Sequence, residues 1–244
     1  MQPDLAENVS LFVDIDGTLI DIASTPHDVI IPEGLPDLLA RLSQRLGGAF
    51  AVLTGRSIAD ADSMLAPLRP AAGGVHGAEV RSTPDGEIEA KAPPLDERIV
   101  VAVRRLVEQH AGVAVEIKRA SVAVHYRLAP NAGLRLAVQL NRLLQEGHDH
   151  LIIARGRKVF EIVPRHVSKG AALKSFMRQT PFRGRTPIMI GDDISDQSAF
   201  QAAVELGGQG LRVAGEQFSR DVADFTGPAH VRLWLANLAG RPAA

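Results

Sequence analysis

Residues 11–19 read LFVDIDGTL, an apolar run that stops at two aspartates one residue apart, followed by a glycine and a threonine. A run of that kind bounded by turn residues is the pattern of a strand buried on both faces, as in a parallel sheet covered by helices. Working outward, the pattern returns in AFAVLTGRS (49–57), AAGGVHGAE (71–79) and TPIMIGDD (186–193). Helical spacing fills the intervals: EGLPDLLARLSQRL (33–46), IADADSMLAPL (58–68), SKGAALKSFMRQ (168–179) and SDQSAFQAAVEL (195–206). The alternation predicts an α/β fold with a parallel sheet.

The middle of the chain breaks that rhythm. VRSTPDGEIEAKA (80–92) reads as a hairpin through Pro84-Asp85-Gly86, and a helix is expected at about 95–110. VAVEIKRASVAVHYRLAP (113–130) reads as a second hairpin, with His125 and Arg127 on one face and Val122, Val124 and Tyr126 on the other. A helix over 131–145 then leads to LIIARGRKVFEIVP (151–164), a third hairpin turned at Gly156. We expect an α+β domain at 81–163 inserted between core segments 1–80 and 164–244.

Composition narrows the chemistry. The chain has 244 residues, 45% hydrophobic and 23% charged, with a formal charge of −1. No field of one sign draws it to nucleic acid or to an anionic membrane, so neither is expected as a partner. With no cysteine, thiolate nucleophiles and thiolate-held metals are excluded, and any metal must be held by oxygen or imidazole. Mg²⁺ suits such a donor set. The opening MQPDLAENVS lacks the features of a leader peptide, and no apolar run approaches the ~20 residues of a membrane span, so a cytoplasmic setting is expected.

In an open parallel sheet, ligands bind beyond the carboxyl ends of the strands. Asp14 and Asp16 are expected there, as are Thr54 and the Asp192–Asp193 pair. Carboxylates converging on one volume repel unless a divalent cation neutralises them. Within such a site Asp14 can attack a phosphorus atom and form an aspartyl-phosphate. Asp16 can protonate the leaving alcohol and later activate water, with Gly17 supplying the sharp turn that exposes it. Thr54 and the backbone amides after Asp14 offer hydrogen bonds to phosphoryl oxygens, and Lys169, at a helix start, offers a fixed positive charge. Each pattern alone is compatible with an ordinary turn or a surface lysine. Their joint placement at strand tips and helix starts of one sheet is what carries the reading.

The ordered set DIDGTL, LTGR, SKG and GDDISD resembles the four motifs of the haloacid dehalogenase-like phosphatases. The resemblance implies a Rossmann-like core, Mg²⁺ as cofactor, and a metal held by Asp14, the backbone carbonyl of Asp16, and Asp192. Asp193 would lie close by and Asp196 would position Lys169; the insert is similar to a C2-type cap. More narrowly, GVHGAE (74–79), AVHYR (123–127), GRKVFEIVPR (156–165) and GRTPIMIGDD (184–193) resemble the bacterial trehalose-6-phosphate phosphatases. That likeness implies a small sugar phosphate as substrate. Gly55 and Arg56 would then lie near the phosphate or a hinge, while Glu79, Lys118, Arg157 and Glu161 would contact the sugar. Alternation adds His125 and Arg127 to that group, and His76 is either a ligand or a packed hinge residue. Trp234, at helical spacing with Leu238, reads as core rather than as a sugar platform.

Two rival readings are weighed against this one. The first is a phosphatase of the same fold acting on sucrose phosphate or a glycosylglycerate phosphate, which cap residues would decide. The second is a silent copy that binds a sugar phosphate and regulates. The clustered charges at Asp14, Asp16, Lys169 and Asp192 speak against silence, because a silent domain has no need of them.

Overall fold

The computed structural model describes residues 8–23 and 28–240; the opening segment read above for a leader lies, up to residue 7, outside them. In chain order the first elements are β1 (Val9–Val13), α1 (Leu35–Arg45), β2 (Phe50–Leu53), α2 (Ile58–Leu65), β3 (Ala71–Gly74), β4 (Glu79–Arg81) and β5 (Glu89–Ala90). Then come α3 (Glu97–Val107), β6 (Ala114–Ile117), β7 (Val122–His125), α4 (Gly133–Gln145), β8 (Leu151–Gly156) and β9 (Val159–Pro164). The chain closes with α5 (Lys169–Phe176), β10 (Thr186–Gly191), α6 (Gln197–Glu205), β11 (Gln209–Arg212) and α7 (Pro228–Gly240).

Contacts divide these elements into two compact units, one of residues 1–90 with 168–244 and one of residues 91–167. In the first, the described residues form a sheet of order β11-β10-β1-β2-β3-β4-β5. β1 lies in its interior, parallel to β10 and to β2, with Val13 level with Ile190 and Val52. Every residue of β1 and β2 is buried, which is why both read as unbroken apolar runs. Helices supply the covering stripes; α1 buries Leu35, Leu38, Leu39 and Leu42, the spacing of one helical face. Phe12 packs with Phe176 and Phe182 at ring separations of 5.8 and 5.4 Å, tying β1 to α5. Trp234 is 7% exposed and meets Phe225 edge-on, so it is a core residue.

The insert begins later than residue 81. The hairpin over 79–90 exists, but β4 pairs antiparallel with β3 and β5 with β4, so the parallel sheet is extended by an antiparallel edge. Alternation announces a hairpin without saying which sheet it joins. At the other end the second unit runs to Val167, because β9 continues to Pro164.

The second unit is a four-stranded antiparallel sheet of order β6-β7-β9-β8 with α3 and α4. Ile99, Val103 and Val107 of α3, and Leu136, Leu140 and Leu144 of α4, recur every four residues and bury against Val122, Val124, Phe160 and Ile162. Asp96 caps α3 by accepting from the Arg98 amide. The third hairpin turns at Arg157-Lys158 rather than at Gly156. Gly156 is paired with Val159 as the closing rung, and Lys158 takes the left-handed φ of 57°. Arg157 is therefore a turn residue and shares no strand face with Glu161.

Candidate active site

The first unit brings its strand tips together as the apolar runs require. Asp14 follows directly on β1, its amide bonded to the Ile190 carbonyl of β10 at 3.0 Å. The chain then folds back so that Ile15, Leu19 and Ile20 enter the core, with the amides of Leu19 and Ile20 both returning to the Ile15 carbonyl. Gly17 makes the reversal at φ 81°, and a Cβ there would lie 2.1 Å from an Asp192 oxygen. No other residue type fits that position.

Asp14 is 5% exposed, Lys169 2% and Asp196 fully buried. Lys169 opens α5, behind a Ser168 cap whose hydroxyl accepts from the Ala171 amide. Its Nζ lies 2.8 Å from Asp14 Oδ1 and 2.6 Å from Asp196 Oδ1. The other Asp196 oxygen accepts from the amides of Asp192 and Asp193, at 3.1 and 3.0 Å, which fixes the turn after β10. Asp196 thus pairs with Lys169 and also stands beside Asp14 and Asp192. One oxygen from each of these three carboxylates lies within 4.8 Å of the others.

Three carboxylates around one ammonium leave the cluster short of positive charge. Burial, only partly relieved by Lys169 and reinforced by the charges of Asp196 and Asp192, holds Asp14 well above the usual carboxylate range. Burial together with the charges of Asp196 and Asp193 pushes Asp192 up to about 7, although Thr18 donates to it. Burial alone would lower Lys169, but its two carboxylate partners raise it above the ordinary lysine value. An all-oxygen, electron-rich and nearly dry donor set fits Mg²⁺.

Asp16 is differently placed. Its side chain is one-third exposed and is gripped by Arg56, Nε at 2.6 Å and NH2 at 2.7 Å, a two-point fork. Thr54, at the tip of β2, is buried, and its Oγ accepts from the Arg56 amide, which leaves the hydroxyl proton to be donated. Glu79 has a partner that the sequence did not announce, the amide of Ile58 at 3.1 Å. His76 adjoins Gly55, where a Cβ would meet its ring at 2.9 Å.

The remaining expected residues belong to the second unit. Glu161 is 4% exposed, bonded to the Ser121 hydroxyl and to Lys118 Nζ at 3.1 Å. His125 Nε2 lies 2.9 Å from Glu116, and Lys118 lies 3.9 Å from the same side chain. The hydrogen bond from His125 and the charge of Lys118 hold Glu116 below the usual carboxylate range despite its partial burial. Arg127 donates to the Arg157 carbonyl at 3.5 Å. Glu116, Ser121 and Thr18 are polar neighbours that the sequence reading missed. Glu116 was findable, since it shares a strand face with Lys118 two residues on. A cavity of about 300 Å³ lies beside α4 and β8, lined by Leu144, Ile153 and Arg155 among others, and holds none of the expected site residues.

Comparison with known proteins fits this geometry. The trehalose-phosphatase family model matches residues 12–228. A probable trehalose-phosphate phosphatase of Sinorhizobium fredii is 42% identical over 208 residues, 85% of this chain and 78% of the relative. The trehalose-6-phosphate phosphatase of Escherichia coli K12 is 34% identical over 215 residues, 86% of this chain and 79% of its own. Among solved structures, the C-terminal domain of Candida albicans trehalose-6-phosphate phosphatase superposes with a TM-score of 0.83 at 20% identity, covering 96% of this chain and 93% of that one, a likeness of fold. The chain belongs to the trehalose-phosphatase family.

Proposed function

We propose that this chain hydrolyses trehalose 6-phosphate to trehalose and phosphate by way of an aspartyl-phosphate. The observation that supports the reading most is the single ammonium of Lys169 bridging Asp14 and Asp196, with Asp192 alongside. Asp14, Asp192 and the backbone carbonyl of Asp16 would hold Mg²⁺, which when bound supplies positive charge to the phosphoryl oxygens and to the carboxylates around them.

The chain's own residues then divide the work. Lys169 and the Thr54 hydroxyl hold the phosphoryl oxygens, so that an Asp14 oxygen faces phosphorus in line. The bond from Asp14 to phosphorus forms as the bond to the sugar oxygen breaks, and Asp16 gives that oxygen a proton. In the second half Asp16 takes a proton from water, whose oxygen bonds to phosphorus as the bond from phosphorus to the Asp14 oxygen breaks and frees the carboxylate. The Arg56 fork holds Asp16 in the orientation seen here and offers only donors, so the acid half requires the carboxyl to turn out of it carrying a proton. Glu79, Lys118, His125, Arg127, Arg157 and Glu161 are the residues to be tested as sugar contacts, with Gly55, Arg56 and His76 beside the phosphate loop. The same reading sets the reaction in the cytoplasm.

The test is phosphate release with Mg²⁺ over a panel of sugar phosphates. Trehalose 6-phosphate should lead by a wide margin. A lead by sucrose phosphate or a glycosylglycerate phosphate would move the assignment within the fold, and no turnover of any member would point to a silent regulatory copy.

A further inference from the structure

The loop that carries Thr54 and Arg56 is anchored from one side. The Thr54 amide bonds to the Gly73 carbonyl at 2.8 Å, the Val75 amide to the Arg56 carbonyl at 2.8 Å, and the His76 amide to the Thr54 carbonyl at 3.0 Å. To make these bonds Val75 and His76 adopt φ of 48° and 55°. A β-branched residue avoids that region, so the turn is held there by its surroundings. The last stitch is Glu79, whose Oε2 accepts from the Ile58 amide at 3.1 Å. Ile58 is the first residue of α2; the Ser57 hydroxyl accepts from Asp60, so the two side chains share the unpaired amides of that helix start. Glu79 is itself pinned in the sheet, level with Gly74 on one side and Ala90 on the other.

We infer that Glu79 is a positioning residue for the phosphate loop: by holding the start of α2 it fixes the turn 54–57, and with it the Thr54 hydroxyl and the Arg56 fork. This rests on the reading that Thr54 meets the phosphoryl group. It also departs from the sugar contact that family likeness implies for Glu79, and the two roles give opposite results with ligands that contain no sugar.

The experiment compares wild type, Glu79→Ala and Glu79→Gln, each with Mg²⁺, on trehalose 6-phosphate and on 4-nitrophenyl phosphate, together with calorimetric affinity for inorganic phosphate and thermal midpoints. Glu79→Ala should lower kcat/KM by about tenfold on both substrates in parallel and weaken inorganic phosphate, as expected when a reacting group is displaced by a fraction of an ångström. Glu79→Gln, whose amide oxygen accepts the same N–H, should restore most of both. A rise in KM confined to the sugar phosphate, with phosphate affinity unchanged, would overturn the inference in favour of a sugar contact. A lowered midpoint with unchanged kinetics, or a Gln variant as defective as Ala, would overturn it as well. If wild type cleaves 4-nitrophenyl phosphate but not trehalose 6-phosphate, the substrate assignment fails while the sugar-free arms still decide the role of Glu79.

Discussion

Each of the two units buries a group of ionisable side chains, and the two groups are balanced differently. Around Lys169 three carboxylates face one ammonium, and Asp14 and Asp192 are both pushed toward their neutral forms. Around Lys118 two carboxylates, Glu116 and Glu161, face a lysine and a histidine, and Glu116 is pushed the other way. One cluster sets three carboxylates against one ammonium; in the other each carboxylate has a lysine or histidine donor. Asp14 and Asp192 are the more deeply buried, and burial leads their upward shift, whereas the Glu116 side chain is 40% exposed and its hydrogen bond from His125 leads it down.

The comparison breaks most sharply at Asp14, the proposed nucleophile. Asp14→Asn should reduce phosphate release by at least about 10³-fold, and residual turnover near wild type would remove the covalent step. Asp16→Ala should lower kcat by about 10²–10⁴-fold while leaving Mg²⁺ affinity by calorimetry unchanged, since its side chain lies outside the three-carboxylate cluster. Lys169→Met tests the imbalance itself: without the ammonium, the metal-free protein should lose about 3–5 kcal/mol in denaturant unfolding, a loss partly recovered with Mg²⁺.

Acidity sharpens the contrast further. The folded Asp192 titrates at about 7 against an ordinary 3.8, so its contribution to metal-free stability is full below the lower value and disappears as pH rises through the upper one. Mg²⁺ takes the ionised carboxylate, so the rise in thermal midpoint on adding Mg²⁺ should grow between about pH 6 and about pH 8. Asp192→Asn should flatten that dependence. Glu161→Gln, in the cluster around Lys118, should raise KM for trehalose 6-phosphate by about tenfold, the loss of one charged hydrogen bond, and leave the Mg²⁺ response untouched.

Much of the first unit was legible because its strands announce themselves twice, by burial on both faces and by abrupt polar tips. Asp14, Thr54 and Asp192 stood out as strand tips and Lys169 as a helix start, and it was their joint placement that singled them out. The grip of Arg56 on Asp16 and of Glu79 on Ile58 could not, since each joins residues distant in sequence through a loop whose left-handed turn at Val75 and His76 no propensity favours. In the second unit, Gly156 looked like the turn and proved to be a rung of the ladder. A glycine signals freedom of φ without saying that the chain uses it there.

The double ion pair of Lys169 has a consequence for covalent labelling. Acylation requires an amine with an available lone pair, and this amine is kept protonated by two carboxylates and shielded from solvent. Lys174, further along the same helix, is 44% exposed and pairs with Glu205 at the surface. Reagents and modifying enzymes that read lysines as electron donors will therefore pass over Lys169, while solvent still reaches Lys174.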